Sequence, residues 1–249
     1  MKQLLSGILL AMVGWSAQPA VASEEADPWE GFNRAIFAFN DTLDRFLLKP
    51  VAIGYDAAMP DPLQSGVSNF FNNLGEVKNI FNDLLQAKFR QAGLDSTRML
   101  VNTTVGFAGF IDIGSRIGLE PHDEDFGQTL GYWGVGSGPY LVLPLLGPST
   151  IRDAAGLPPD IMIHPSNLVE HDLTRYSIDA VGIVDIRASL LEAEKLVAGD
   201  RYTFFREAYL QRRDFLLKDG VVEDNFDEDD ALFDDDESFE DTDSAEPSE

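Results

Sequence analysis

Trp29, Phe32, Ile36, Phe39, Leu43 and Phe46 recur at alternating spacings of three and four residues. At 3.6 residues per turn they share one side of a helix. Val67, Phe70, Phe71, Leu74, Val77, Phe81, Leu84 and Leu85 form a second such stripe. A helix with a broad apolar side must set it against other protein or another apolar medium. Past the first two dozen residues no stretch of about 18 apolar residues occurs, so an ordinary membrane-spanning helix is not expected. The chain therefore reads as mainly α, with amphipathic helices.

Asp27-Pro28 and Asp61-Pro62 read as helix starts, with Asp as cap, Pro at the first helical position and Glu30 at the capping-box position of the first. The second stripe has Asn69, Asn72, Asn73, Asn79 and Asn82 on its other side. Asparagine is a poor helix former, so five need a reason. A solvated face is one reason and a polar lining for a groove or pore is the other. Asp95–Thr104 reads as a further helix. Val105–Gly118 and Gly127–Gly147 are rich in glycine, with Tyr132, Trp133 and Tyr140 among them. Tyr140–Leu146 reads either as a strand, against which Pro144 argues, or as a segment resting at a bilayer interface. Thr150 with Asp153 is a capping signal, and Leu157-Pro158-Pro159 is expected to end its helix. Leu168–Val197 reads as one long helical region. A last helix is expected from Asp200 to Gly220, with Arg212, Arg213 and Lys218 at its end.

Charge is segregated. The formal net charge is −25, and residues 219–249 hold 16 acids with no Lys or Arg. Such an excess disfavours phosphate-rich partners, so no nucleic acid is expected. Residues 221–249 read as a self-repelling, disordered acidic tail. At the other end, Lys2, the apolar Leu4–Val13 and Ala20-Val21-Ala22 make a secretory signal over residues 1–22, cleaved before Ser23. The 249 residues contain no cysteine, so the expected protein is exported without a lipoprotein cysteine. The domain proper is placed at 23–220.

Catalytic patterns are missing. Ser137 in Val135-Gly136-Ser137-Gly138-Pro139 has Val135 and Pro139 where a nucleophile elbow needs glycine, two positions to either side. Gly134-Val135-Gly136-Ser137-Gly138-Pro139 has Pro139 where a dinucleotide fingerprint needs glycine. No lysine lies between Lys88 and Lys195 to serve a phosphate loop. His122 with Asp123, Glu124 and Asp125 could hold a metal weakly, but a capped loop is the favoured reading. No catalytic residue, cofactor or metal is expected.

Several blocks together carry a resemblance. Asp27-Pro28-Trp29-Glu30-Gly31-Phe32-Asn33-Arg34 with Phe37-Ala38-Phe39-Asn40 resembles the opening motif of the MlaA/VacJ family. Val67–Leu74, Val101–Gly106, Asp125–Gly131, Gly138–Pro144 and Tyr209–Arg213 resemble later blocks in family order, over about residues 26–220. The resemblance implies a ring-like helical protein embedded in the outer membrane of the bacterial envelope on its periplasmic side. Interfacial amphipathic helices would surround a central channel. It implies association with trimeric porins, removal of mislocalised phospholipid from the outer leaflet, and transfer to a periplasmic phospholipid carrier protein. Family members are often lipoproteins, and the absence of cysteine departs from that pattern.

The residues are compatible with that picture, because a lipid path must wet a charged head without stranding it in hydrocarbon. Phe39, Asn40, Asn72 and Asn73 are the pore or gate candidates. Phe107, Phe110, Ile111, Trp133, Tyr140, Leu141 and Leu143 are the membrane-facing candidates, with packing in a soluble core as the competing reading. Two further functions stay open: a non-catalytic envelope adaptor that binds porins, and a periplasmic hydrolase.

Overall fold

The computed structural model describes residues 27–221. The leader expected over 1–22 and, Val221 apart, the tail expected over 221–249 lie outside the described residues. The expected mainly α class holds. Helix α1 (Glu30–Leu43) passes through a π-helical turn (Asp44–Leu48) into α2 (Lys49–Ala58). Then come α3 (Asp61–Leu85), α4 (Phe89–Thr104), the short α5 (Ile113–Arg116) and α6 (Phe126–Tyr132). An antiparallel hairpin, β1 (Tyr140–Leu143) and β2 (Gly147–Thr150), pairs Tyr140 with Thr150 and Leu143 with Gly147. Helices α7 (Ile151–Ile163), α8 (Asp172–Ser189) and α9 (Arg201–Leu217) complete the described residues. No described helix is long and apolar enough to cross a membrane.

The local rules hold in part. Thr150 Oγ1 accepts from the Asp153 amide at 3.2 Å, and Asp200 Oδ1 accepts from the Tyr202 amide at 3.2 Å, as their capping signals require. Asp27 and Asp61 do not cap. Helix α1 starts behind Trp29 and α3 behind Pro60, neither with a side-chain cap. Asp27 is recruited elsewhere: its carboxylate accepts from Asn33 Nδ2 at 2.7 Å and from the Tyr202 hydroxyl. The prolines do not end α7, which runs through Pro158 and Pro159 to Ile163. Tertiary bonds secure its far turn, where the Asp160 carboxylate accepts from the Phe126 amide and from Asn82 Nδ2, each at 3.0 Å. Leu168–Val197 is broken into α8 with a 3-10 turn on either side, Pro165–Leu168 and Ala193–Leu196.

The distribution of polarity is inverted. Among the described residues only Ala52, Ala92, Tyr140, Val142, Ala188 and Tyr202 are buried apolar side chains, and Tyr140, Val142 and Tyr202 form the one clustered core. The interior is otherwise built from Asn, Asp, Glu, Gln and Arg. Helix α3 shows how: Asn73, Glu76, Asn79 and Asp83 recur at helical spacing and all point inward. Of its asparagines, Asn73, Asn79 and Asn82 are therefore interior, while Asn72 is exposed. Outside lie Phe46, 82% exposed, and Phe107, 77% exposed, with Trp29, Phe32, Phe39 and Phe89 also outward. Water-soluble monomers rarely show apolar patches of more than a few hundred Å². Hydrocarbon surroundings reverse the cost, favouring an apolar rim and internally paired polar groups.

Candidate functional site

A cavity of about 480 Å³ lies beside α1, β2, α8 and α9. Phe37, Leu190, Leu196, Val197, Phe204 and Phe205 give it an apolar wall. Asn40, Asp41, Asp44, Arg187, Glu194 and Arg201 line it with charge and polarity. Asn40 on α1 has both ends of its amide engaged: Nδ2 donates to Leu143 O at 2.9 Å and Oδ1 accepts from the Leu145 amide at 2.8 Å. It thereby fixes the hairpin turn against the cavity. Arg187 on α8 grips Asp44 with Nε at 2.6 Å and Nη2 at 2.9 Å, and Nη2 also reaches Glu194 at 2.6 Å. Arg201 bonds Glu194 at 3.1 Å and pairs with Asp41 at 3.3 Å, while Lys49 reaches Glu194 at 3.1 Å. Desolvation alone would raise the Glu194 carboxyl, but the bonds from Arg187, Lys49 and Arg201 hold it down to about 2. These charges are spent on one another, so the surface the cavity presents is almost entirely apolar and suits a hydrocarbon chain.

A second polar centre lines a separate, smaller cavity. Arg213 donates to Asp125 with both Nη1 and Nη2, the latter at 3.0 Å, and Nη2 reaches Asp153 at 2.9 Å. The Tyr209 hydroxyl donates to Asp153 at 2.7 Å. Desolvation works against ionisation of Asp125 and Asp153, and Arg213 overcomes it, so both carboxyls titrate below their ordinary range. Gly127 makes room here: a Cβ would stand 2.6 Å from Asp153 Oδ1 and 2.9 Å from Arg213 Nη2. Arg98 repeats the device on α4, donating to Glu76 at 2.8 Å and bidentately to Asp112 at 3.0 Å.

The sequence candidates are dispersed. Phe39 and Asn40 lie on α1, Phe39 half-exposed and Asn40 at the cavity. Asn72 and Asn73 lie on α3, Asn72 exposed and Asn73 buried with Nδ2 donating to Thr103 at 2.9 Å. Phe107, Phe110, Ile111 and Trp133 are exposed; Phe110 packs its ring on Phe70, and Trp133 Nε1 donates to Leu85 O at 3.2 Å. Tyr140 requires a correction, because it is 1% exposed. Strand alternation turns Tyr140 and Val142 inward and leaves Leu141 and Leu143 half-buried. The His122–Asp125 run also divides: Asp123 pairs outward with Lys78 at 3.2 Å and Arg212 at 3.3 Å, and Asp125 caps α6. Arg187, Glu194 and Arg201 were not singled out from the sequence. Glu194 lies near Arg187 and Arg201 in the chain, but Asp44 lies 143 residues from Arg187, and no short motif signals the cluster.

Residues 25–216 match the model of a family described as MlaA lipoprotein. The chain belongs to the MlaA lipoprotein family. Curated MlaA relatives are the intermembrane phospholipid transport system lipoproteins MlaA of Shigella flexneri and Haemophilus influenzae. The first is 36% identical, over 90% of this chain and 92% of that protein. The second is 34% identical, over 88% and 90%. A solved structure concerned with the structural basis for maintenance of bacterial outer membrane lipid asymmetry superposes with a TM-score of 0.66. It is 36% identical and covers 77% of this chain and 98% of its own. These names correct the localisation expected from the sequence, of an exported protein set apart by having no lipoprotein cysteine: the MlaA family and its curated members are described as lipoproteins. That reading rested on the missing cysteine and on Ala20-Val21-Ala22, which do not outweigh membership of a lipoprotein family.

Proposed function

We propose that this protein is the outer-membrane component of a phospholipid transport system. It removes mislocalised phospholipid from the outer leaflet and so maintains lipid asymmetry. The observation that carries the reading is the inverted polarity, an apolar exterior around a polar, ion-paired interior. Interfacial helices with such an exterior sit in a leaflet without crossing it. The cavity beside α1 and α8 offers an apolar surface for a hydrocarbon chain, backed by mutually paired charges. The lipid moves whole, so its passage calls for no nucleophile, and the protein acts as a conduit rather than an enzyme. Residues 23–220 form the transport unit, between a leader over 1–22 and an acidic tail over 221–249. Phe39 and Asn40 border the passage, and Asn72 and Asn73 line its polar side. Phe107, Phe110, Ile111, Trp133, Leu141 and Leu143 meet the membrane. Trimeric porins hold the protein in place, and a periplasmic phospholipid carrier protein receives the cargo.

The test has two parts. Deleting the gene is expected to raise phospholipid in the outer leaflet, read by an outer-leaflet-specific acylation assay. The purified protein is expected to carry phospholipid, read by mass spectrometry. Normal asymmetry in the deletion strain together with a lipid-free protein would defeat the proposal and favour the porin-binding adaptor.

A further inference from the structure

One cluster of ionisable groups lies outside the cavity and outside the Arg213 and Arg98 networks. Asp83 stands in the last turn of α3, Asp95 in the second turn of α4, and His122 in the loop between α5 and α6. Asp83 is 0% exposed, and neither of its carboxylate oxygens receives a hydrogen bond. Asp95 is 1% exposed. His122 Nδ1 lies 3.1 Å from Asp95 Oδ2 and 3.8 Å from Asp83 Oδ1. One ligand atom from each of the three residues falls within 4.8 Å of the others.

The charges nearby are already committed. Lys88 pairs with Glu124 at 2.8 Å and also with Asp219. Arg98 pairs with Glu76 and Asp112. Among the described residues no lysine or arginine ion pair reaches Asp83 or Asp95. Two buried carboxylates facing one imidazole need further positive charge or a shared proton. No donor from outside the cluster reaches either oxygen of Asp83, so whatever balances its charge must come from within the site.

We propose that Asp83, Asp95 and His122 Nδ1 bind a divalent transition-metal cation of the zinc class, which ties the ends of α3 and α4 to the loop before α6. One imidazole with two carboxylates is a donor set for such ions, whereas all-oxygen sets suit calcium and magnesium. Ligand bonds of about 2.0–2.2 Å in a tetrahedron set ligand atoms about 3.3 Å apart. The separations of 3.1 and 3.8 Å bracket that value. A supporting shell is in place. Gln91 Nε2 donates to Asp95 Oδ1 at 2.8 Å, which leaves Oδ2 toward the site. Behind the imidazole, His122 Nε2 faces Glu124 Oε1 at 3.7 Å, and Gln86 and Lys88 hold Glu124, each at 2.8 Å. A carboxylate behind a metal-bound imidazole orients the ring and strengthens the ligand. The partly exposed edge of His122 provides an entry path.

The experiment uses the full chain in detergent, stripped with chelator and titrated with Zn²⁺ against a chromophoric competitor. Mn²⁺ and Ca²⁺ are run in parallel. One Zn²⁺ per chain is expected, bound at least about tenfold more tightly than Ca²⁺, with a rise in Tm on loading. Asp83→Asn, nearly isosteric, is expected to weaken Zn²⁺ by well over tenfold, and Gln91→Ala by about tenfold. Asp219→Asn tests the neighbouring exposed group of His122, Glu124 and Asp219 and is expected to change nothing. No saturable binding by the wild type, tighter Ca²⁺ than Zn²⁺, or loss of binding in Asp219→Asn but not in Asp83→Asn would each overturn the proposal. The wild-type titration decides even where a variant fails to fold. Unchanged stability on loading would show that the ion does not tie the elements.

Discussion

Asn33→Ala removes one amide that serves three partners. Its Nδ2 donates to Asp27 and to the Tyr140 carbonyl at 3.1 Å, and its Oδ1 accepts from the Val142 amide at 2.9 Å. Each buried polar group left unpaired costs about 1–3 kcal/mol, so a loss of about 3 kcal/mol is expected in chemical unfolding of the micelle-bound protein. Arg213→Ala leaves Asp125 and Asp153 as under-compensated buried charges, with an expected loss of about 3–5 kcal/mol in the same measurement. Arg213→Lys restores the charge but not the fork that spans two carboxylates, so it recovers only part of that loss. The motif residues Asn33, Asp125 and Arg213 stood out in the sequence, but their work did not. Asp27 reads locally as a helix cap, but its carboxylate is taken up by Asn33 and by Tyr202, 175 residues away.

At the scale of elements, the contacts around Glu194 tie α2, α8 and α9 to one carboxylate. A carboxyl with a folded-state value near 2 and an ordinary value of 4.5 binds fewer protons folded than unfolded between those limits. Its contribution is therefore complete above pH 4.5 and is lost as pH falls toward 2. Melting temperature should decline over that window, and Glu194→Gln should flatten the decline; an identical slope in the variant counts against the assignment. The helices α1 and α3 were readable because a 3.6-residue period survives whatever the surroundings are. The break-up of 168–197 and the continuation of α7 past Pro158 were not, since bonds from other elements decide them. Gly127→Ala should destabilise by about 1–3 kcal/mol, because α6 has no space for a methyl beside Asp153 and Arg213.

For the whole molecule, periodicity shows that a helix has two sides but not which side is inside. Asn73, Asn79 and Asn82 of α3 point inward and much of the aromatic stripe of α1 points outward, an orientation the residues alone left open. The consequence is testable on vesicles. Phe46→Glu and Phe107→Glu place charge on outward positions that touch little of the fold. Each should leave unfolding midpoints nearly unchanged yet lower partitioning into phospholipid vesicles, by up to about 2.5–3.5 kcal/mol if the site reaches hydrocarbon depth. Equal flotation of wild type and both variants would mean that these side chains do not enter lipid.

The scarcity of buried apolar side chains also bears on calorimetry. Unfolding raises heat capacity chiefly because apolar surface meets water, by about 12–15 cal/mol/K per residue in ordinary globular proteins. Here that surface already faces outward, and a micelle continues to cover it when the chain loosens. The increment should fall well below the ordinary range. The stability curve would then be shallow, resisting cold as well as modest warming, a thermal signature that belongs to how the chain is turned inside out rather than to any single bond.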